Sequence, residues 1–234
     1  MSYLFLLDMH VCIMKIIALP DLHDNVKYLP QIGHALSEVD LVLLVGDLTN
    51  GNSPSNVGQV IRTVQRFNPS ILAIPGNWDR PDVENYLSQK EINLHRRHIL
   101  IDHLAFFGIG ASLPGLIRSP NEFTEEDFEL FFEEALSGLE PEIPKIMVCH
   151  QPPYNTQNDL AQGGLHVGSK TVRRFIECEQ PLICFTGHIH EGVGIDHIGE
   201  TQLINPGPLW QGHFAYTEVT SQGIQTLEIR TIRS

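Results

Sequence analysis

Five short apolar runs in this chain each end in a side chain able to bind a metal. The runs are Ile16 to Leu19, Leu41 to Val45, Ile71 to Ile74, Ile146 to Cys149 and Leu182 to Phe185. Their endings are Asp21-Leu22-His23, Gly46-Asp47, Gly76-Asn77-Trp78-Asp79, Cys149-His150 and Gly187-His188-Ile189-His190. Runs this short, apolar and partly β-branched read as strands buried on both faces. In open α/β sheets the site lies just beyond the carboxyl ends of the strands. The spacing therefore predicts a crevice where two carboxylates, four imidazoles and one amide converge.

Between these runs the pattern changes to a helical period. Val57, Val60, Ile61, Val64 and Phe67 predict a helix between the second and third strands. Val26, Leu29, Ile32 and Leu36 predict one between the first and second, with Pro30 forcing a late start or a kink. Pro81 opens a third helix carrying Val83, Tyr86 and Leu87. Such a βαβαβ order implies a parallel sheet with right-handed crossovers. Ile99 to Ile109 reads as one or two strands around Asp102-His103. Thr124 and Asp127 form a capping-box-like start to an acidic helix with Phe128, Phe131, Phe132 and Leu136 near one face. A long loop, 151–168, precedes a helix with Val172, Phe175 and Ile176. The β-rich end, from Val193 onward, suggests a second sheet packed on the first.

With 234 residues, 42% of them hydrophobic, the chain supports one sizeable core. We expect a single domain over 14–234 and an N-terminal extension over 1–13, read as an extra strand, an arm or an upstream start. A signal peptide is the weaker reading, because Leu4 to Leu7 is short and Asp8 interrupts it. No apolar run reaches the ~18 residues of a membrane span. Cys12, Cys149, Cys178 and Cys184 form no CxxC pair, and two of them lie inside strand runs, which points to a reducing, cytoplasmic setting. A net charge of −13 argues against nucleic acid as the partner. It leaves room for a small phosphorylated substrate, since bound cations would invert the local field. The oligomeric state is not set by the sequence; a homodimer is compatible with it.

Taken singly, the motifs are weak. Asp21 and His23 would point to one side if the strand end stays extended, but a turn Asp and a surface His explain them as well. Asp47 closes the most apolar strand, where a carboxylate is costly unless paired or metal-bound, and Gly46 would let the backbone approach a ligand. Asn77 could belong to an ordinary turn and His150 could be a satisfied core-edge histidine. His188 and His190, two apart after a buried strand, are the stronger pair. Gly108-Ile109-Gly110 lacks the third glycine of a dinucleotide fingerprint. What the single readings do not explain is five such endings in this order.

As a set, the five motifs resemble the calcineurin-like metallophosphoesterase superfamily, from Lys15 to about Gln211. Ile204-Asn205-Pro206-Gly207-Pro208, Cys149-His150-Gln151-Pro152-Pro153 and His166-Val167-Gly168-Ser169 are similar to its small prokaryotic phosphodiesterase branch. The resemblance implies a four-layer α/β/β/α sandwich of two mixed sheets flanked by helices, with the metal site at the strand carboxyl ends. It implies two divalent ions, manganese the expected one and iron, zinc, nickel or magnesium the alternatives. Asp21, His23 and His190 would hold one ion, Asn77, His150 and His188 the other, and Asp47 would bridge them. Asp47 and Asn77 are the residues expected to take part in the chemistry, with Asn77 able both to ligate and to orient. The implied activity is phosphoester hydrolysis, with a phosphodiesterase on a small substrate expected, through in-line attack by a metal-bridging hydroxide. A nuclease of the same fold and a non-catalytic metal-binding scaffold are the rival readings.

The chain departs from the pattern at Trp78, where many members carry a histidine assigned to the leaving group. An indole N–H is a donor only. His166, a candidate in the cleft, or a metal-bound water is the substitute proton donor expected, and Asp79 is expected to be structural. The loops 111–121 and 154–168 are expected to wall the cleft, with Arg118 and Asp159 more simply read as solvated.

Overall fold

The computed structural model describes residues 12–51 and 54–232; the extension 1–13 lies outside the described residues except for its last two. The chain opens with β1 (Met14–Leu19), α1 (Gly33–Ser37), β2 (Leu41–Val45), α2 (Pro54–Gln65), β3 (Ile71–Ile74) and α3 (Pro81–Gln89). A hairpin of β4 (Arg97–Ile101) and β5 (Leu104–Ile109) follows, then α4 (Glu125–Leu136) and β6 (Lys145–Cys149). The two-strand ribbon β7 (Leu160–Ala161) and β8 (Leu165–His166) leads to α5 (Lys170–Glu179) and β9 (Ile183–Thr186). The end is β10 (Gly194–Ile198), β11 (Thr201–Asn205), β12 (His213–Thr220) and β13 (Gly223–Thr231).

Local chemistry accounts for these boundaries. Pro30 sits in a 3₁₀ turn, Val26–Ile32, and regular α-helix begins only at Gly33. Asp102 (φ 46°) and His103 (φ 67°) turn the β4–β5 hairpin with two left-handed residues, the geometry that matches strand twist. Thr124 and Asp127 cap α4 reciprocally.

The first sheet has the order β13-β12-β1-β2-β3, and the second β10-β11-β9-β6-β5-β4. β1, β2 and β3 run parallel, as do β5, β6, β9 and β11; the remaining neighbours pair antiparallel, so both sheets are mixed. Period-2 alternation then divides each buried strand between two cores. Ile16 and Ala18 of β1 face the second sheet's Phe106, Ile146, Val148, Ile183 and Phe185. Ile17 and Leu19 face the helix side with Val57, Val60, Ile61 and Val64 of α2. On the far side, Phe107, Met147, Cys149 and Cys184 pack under Phe128, Phe131 and Phe132 of α4 and Val172 and Ile176 of α5. The result is the four-layer α/β/β/α sandwich.

The β-rich end does not form a sheet of its own. β10 and β11 extend the second sheet, whereas β12 inserts beside β1, with Ile17 opposite Tyr216. Strand periodicity says which residues face a core but not which sheet they join. The crossing is made by 206–212, at the end where the five motifs lie.

His95 gives the fold a pH dependence. It is buried among the second sheet's connections, accepts the Gly110 N–H at 2.8 Å through Nδ1, and meets Phe131 edge-on at 5.3 Å. Burial first, then Arg96 and Arg97, pushes its pKa from 6.5 down to about 3. Between those values the unfolded chain takes a proton that the folded one refuses, so this residue's contribution is complete above the unfolded pKa and is lost as pH falls. We expect a loss of about 1.4 kcal/mol per pH unit across that window, read by urea denaturation at a series of pH values. His95→Gln should remove that slope; an unchanged slope would exclude His95 as its source.

Candidate metal centre

The motif loops are joined side by side before any side chain is considered. Asp21 N–H bonds Gly46 C=O (3.0 Å), His23 N–H bonds Asp47 C=O (2.8 Å) and Asp24 N–H bonds Leu48 C=O (3.0 Å), continuing the β1–β2 contact past the strand ends. These loops are not extended. Asp21 (φ 53°), His23 (φ 47°), Asp47 (φ 49°) and His188 (φ 66°) are all left-handed. The expectation that Asp21 and His23 share a side because the strand end stays extended is therefore corrected: paired left-handed turns aim them. Non-glycine residues held in this region cost about 1–2 kcal/mol each, and such strain gathers at functional sites.

Two glycines are required by close approach, Gly46 for a reason other than the one the sequence suggests. A Cβ on Gly46 would lie 2.4 Å from His150 Nδ1, and one on Gly76 would lie 2.2 Å from Asp47 Oδ1. Gly46 thus makes room for an imidazole rather than for a ligand's approach.

All seven side chains predicted from the strand ends are brought together. Asp21, His23 and His190 form one triad and Asp47, His150 and His188 another, the potential ligand atoms of each lying within 4.8 Å of one another. Asn77 Oδ1 sits 3.0 Å from His150 Nε2 and 2.8 Å from His188 Nδ1. Asp47 Oδ2 lies 3.6 Å from His23 Nε2 and 3.4 Å from His150 Nε2, between the two triads. Asp21 accepts the His188 N–H and lies 3.6 Å from His190 Nε2.

The donor set fits cations. His150 Nδ1 donates to Val45 C=O at 2.8 Å, which leaves the Nε2 lone pair facing Asn77 Oδ1, itself an acceptor. His188 Nδ1 joins them, so three potential acceptors converge where only a proton or a cation satisfies them. His23 Nδ1 is buried with no partner among the described residues. Burial disfavours a charge on His150, yet Asp47 and then Asp21 outweigh it and push its pKa up to about 9. Burial, with His150 next, pushes His188 down to about 4. The cluster calls for positive charge and does not place it on every imidazole.

Asp79 is a structural knot. Fully buried, it accepts from Leu48 N–H (3.0 Å), Thr49 N–H (2.8 Å), Thr49 Oγ1 (2.9 Å) and Gly76 N–H (2.8 Å), tying the second motif to the third. Burial, then Asp47, pushes its pKa up to about 7.

An open cavity of about 470 Å³ adjoins the centre, lined by His23, Asn25, Asn50, Trp78, His190 and Trp210. His166 is not among these residues; its Nδ1 is held 2.7 Å from Asp159 Oδ1 in the β7–β8 ribbon. Asp159 is not solvated but fully buried, and it also accepts the N–H groups of Asn155, Thr156 and Gly168. Arg118 is exposed. The loop 111–121 abuts the third motif, where Asn121 Nδ2 donates to Gly76 C=O at 3.0 Å. The loop 154–168 braces 192–194 through Asn158. Neither loop lines the cavity, which corrects the expectation that both wall it. Sequence reasoning missed Asn25, Asn50 and Trp210. The available signal for Trp210 was its place just after the Asn205–Pro208 turn.

Residues 14–192 match the calcineurin-like phosphoesterase family. The uncharacterized protein MJ1162 of Methanocaldococcus jannaschii is 32% identical over 207 residues, covering 87% of this chain and 91% of that protein. The 3′,5′-cyclic adenosine monophosphate phosphodiesterase CpdA of Haemophilus influenzae is 23% identical over 188 residues, covering 77% of this chain and 65% of that protein. In fold, the chain is similar to the crystal structure of TT1561 of Thermus thermophilus, with a TM-score of 0.73 at 19% identity, covering 95% of this chain and all of that one. A family match spanning most of the chain, over the segment that carries all seven converging side chains, places this protein among the calcineurin-like phosphoesterases.

Proposed function

We propose that this phosphoester hydrolase cleaves small phosphodiesters at a centre of two divalent ions. Asp21, His23 and His190 would hold one ion and Asn77, His150 and His188 the other, with Asp47 shared. The observation that carries the reading is the place of Asp47 Oδ2, within 3.6 Å of an imidazole of each triad. When bound, such a pair supplies a water of lowered pKa and neutralises charge on the phosphoryl oxygens.

The chain's own residues do the positioning. Val45 C=O fixes the tautomer of His150, and the His188 N–H fixes the Asp21 carboxylate. Asn77 presents its oxygen to the centre and keeps an NH₂ that can orient a phosphoryl oxygen. Diester rather than monoester preference is supported by the similarity to CpdA, a named phosphodiesterase. Manganese is the ion that the family resemblance leads us to expect; the mixed imidazole and carboxylate set itself accepts iron, zinc, nickel or magnesium as well. Cytoplasmic residence accords with the unpaired cysteines; among the described residues no helix is long and apolar enough to cross a membrane.

Chelator-stripped protein should be inactive on bis-p-nitrophenyl phosphate, and Mn²⁺ should raise the rate at least ~10²-fold. Metal binding without turnover would overturn the enzyme reading in favour of a scaffold. Single-stranded DNA cleaved faster than the small diester would overturn the substrate class.

A further inference from the structure

The cavity beside Asp21, His23 and His190 holds both tryptophans of the chain. Trp210 stands edge-on to His190, with ring centroids 5.4 Å apart at 82°, and 5.6 Å from His23 at 54°. Its position is built. Asn205 Oδ1 accepts the Gly207 N–H (2.8 Å), Asn205 Nδ2 donates to Ile189 C=O (2.9 Å), and Leu209 is buried in the core below. One asparagine thus fixes the Trp210 turn to the residue between His188 and His190. Trp78 follows Asn77 directly, and its backbone N–H is held by Asp47 Oδ1 at 2.8 Å. Among the described residues neither indole N–H has a protein acceptor, and the Asn25 amide has no side-chain partner. Two indoles kept half-exposed beside a phosphate-binding centre, with a few unused polar groups, have the composition of a ligand site rather than of a core.

The geometry points to Trp210, with Trp78 as the second wall, as the residue that selects substrate: it receives a flat unsaturated ring carried by the phosphoester. Aryl esters and nucleotides share that ring; alkyl and glyceryl esters lack it. Stacking on an indole is sequence-tolerant and needs only a π-face, while the Asn25 amide can meet a ring edge. The inference rests on the phosphoester reading above.

The test uses Mn²⁺-loaded protein titrated calorimetrically with phenylphosphonate and methylphosphonate, which share the phosphonate and differ in the ring. We expect phenylphosphonate to bind about tenfold more tightly and to quench tryptophan fluorescence. Trp210→Leu should bring the ratio below about twofold, and Trp210→Phe, which keeps a ring, should preserve most of it. Adenosine 5′-monophosphate against ribose 5-phosphate tells a nucleobase from a simple aryl ring. Equal binding of the two phosphonates, or a ratio unmoved in Trp210→Leu, would overturn the slot alone. Failure of both to bind in a metal-dependent way would remove the phosphoester reading and the slot with it.

Discussion

Replacing Asp47 with Asn is expected to lower metal-dependent phosphodiester hydrolysis on the order of 10³-fold while the chain stays folded. The substitution keeps the shape of the side chain and so keeps an oxygen where Oδ1 accepts the Trp78 N–H. It removes the charge on the other side, where Oδ2 faces His23 and His150. A residue that served one triad alone would weaken one ion and spare the other; Asp47 lies between them, so its loss should lower occupancy of both. In the metal-free protein the same carboxylate is paired: burial opposes its charge, but His150, then His23 and His188, outweigh burial and hold its pKa below the usual carboxylate value. It is buried, and after burial itself it is the chief cause that pushes Asp79 up to about 7. Asp47→Asn should therefore lower the stability of the stripped protein at neutral pH, since it leaves His150 buried without its charge partner, a loss offset only in part by the relief of Asp79. Metal content by mass spectrometry, p-nitrophenol release and urea denaturation read the three effects separately. A variant that binds two ions and retains activity within about tenfold of the original would remove Asp47 from the shared position.

Much of this was legible in residue order because the strands are local and their alternation is strict. Leu41 to Val45 is apolar at every position since both faces of β2 meet a core, and the next residues carry the chemistry because the strand ends there. The αL turns were not legible. Asp and His tolerate positive φ without signalling it, so the same two-residue spacing of Asp21 and His23 fits an extended end and a folded one equally well. Long-range partners were hidden for a similar reason. Asp79 looks like an ordinary turn acid until Leu48 and Thr49 are seen to donate to it from 31 and 30 residues away. Trp210 reaches the cavity only because β12 returns to the first sheet, a choice made by pairing with β1 that no periodicity encodes.

That topology bears on how the leaving group is protonated. Aryl phosphodiesters should be turned over far better than alkyl ones, because among the described residues the side chains lining the cavity include no uncommitted acid. The two titratable groups there, His23 and His190, are committed to the Asp21 triad. Trp78 offers an N–H that does not ionise usefully near neutrality. His166 is turned into its own ribbon by Asp159. An activated leaving group departs without a proton, whereas an alkoxide needs one, so rate should fall steeply as the leaving group becomes less acidic. Trp78→His tests the cause directly. The backbone N–H to Asp47 survives the change, and an imidazole enters the cavity next to Asn77. General acid catalysis contributes about 10²–10⁴-fold, so we expect the variant to gain ~10²-fold on alkyl leaving groups and to change little on p-nitrophenyl ones. The gain should follow a titrating group in the pH profile of kcat/KM. A leaving-group series that is already flat in the original protein would mean that a proton reaches the departing oxygen by a route these residues do not supply.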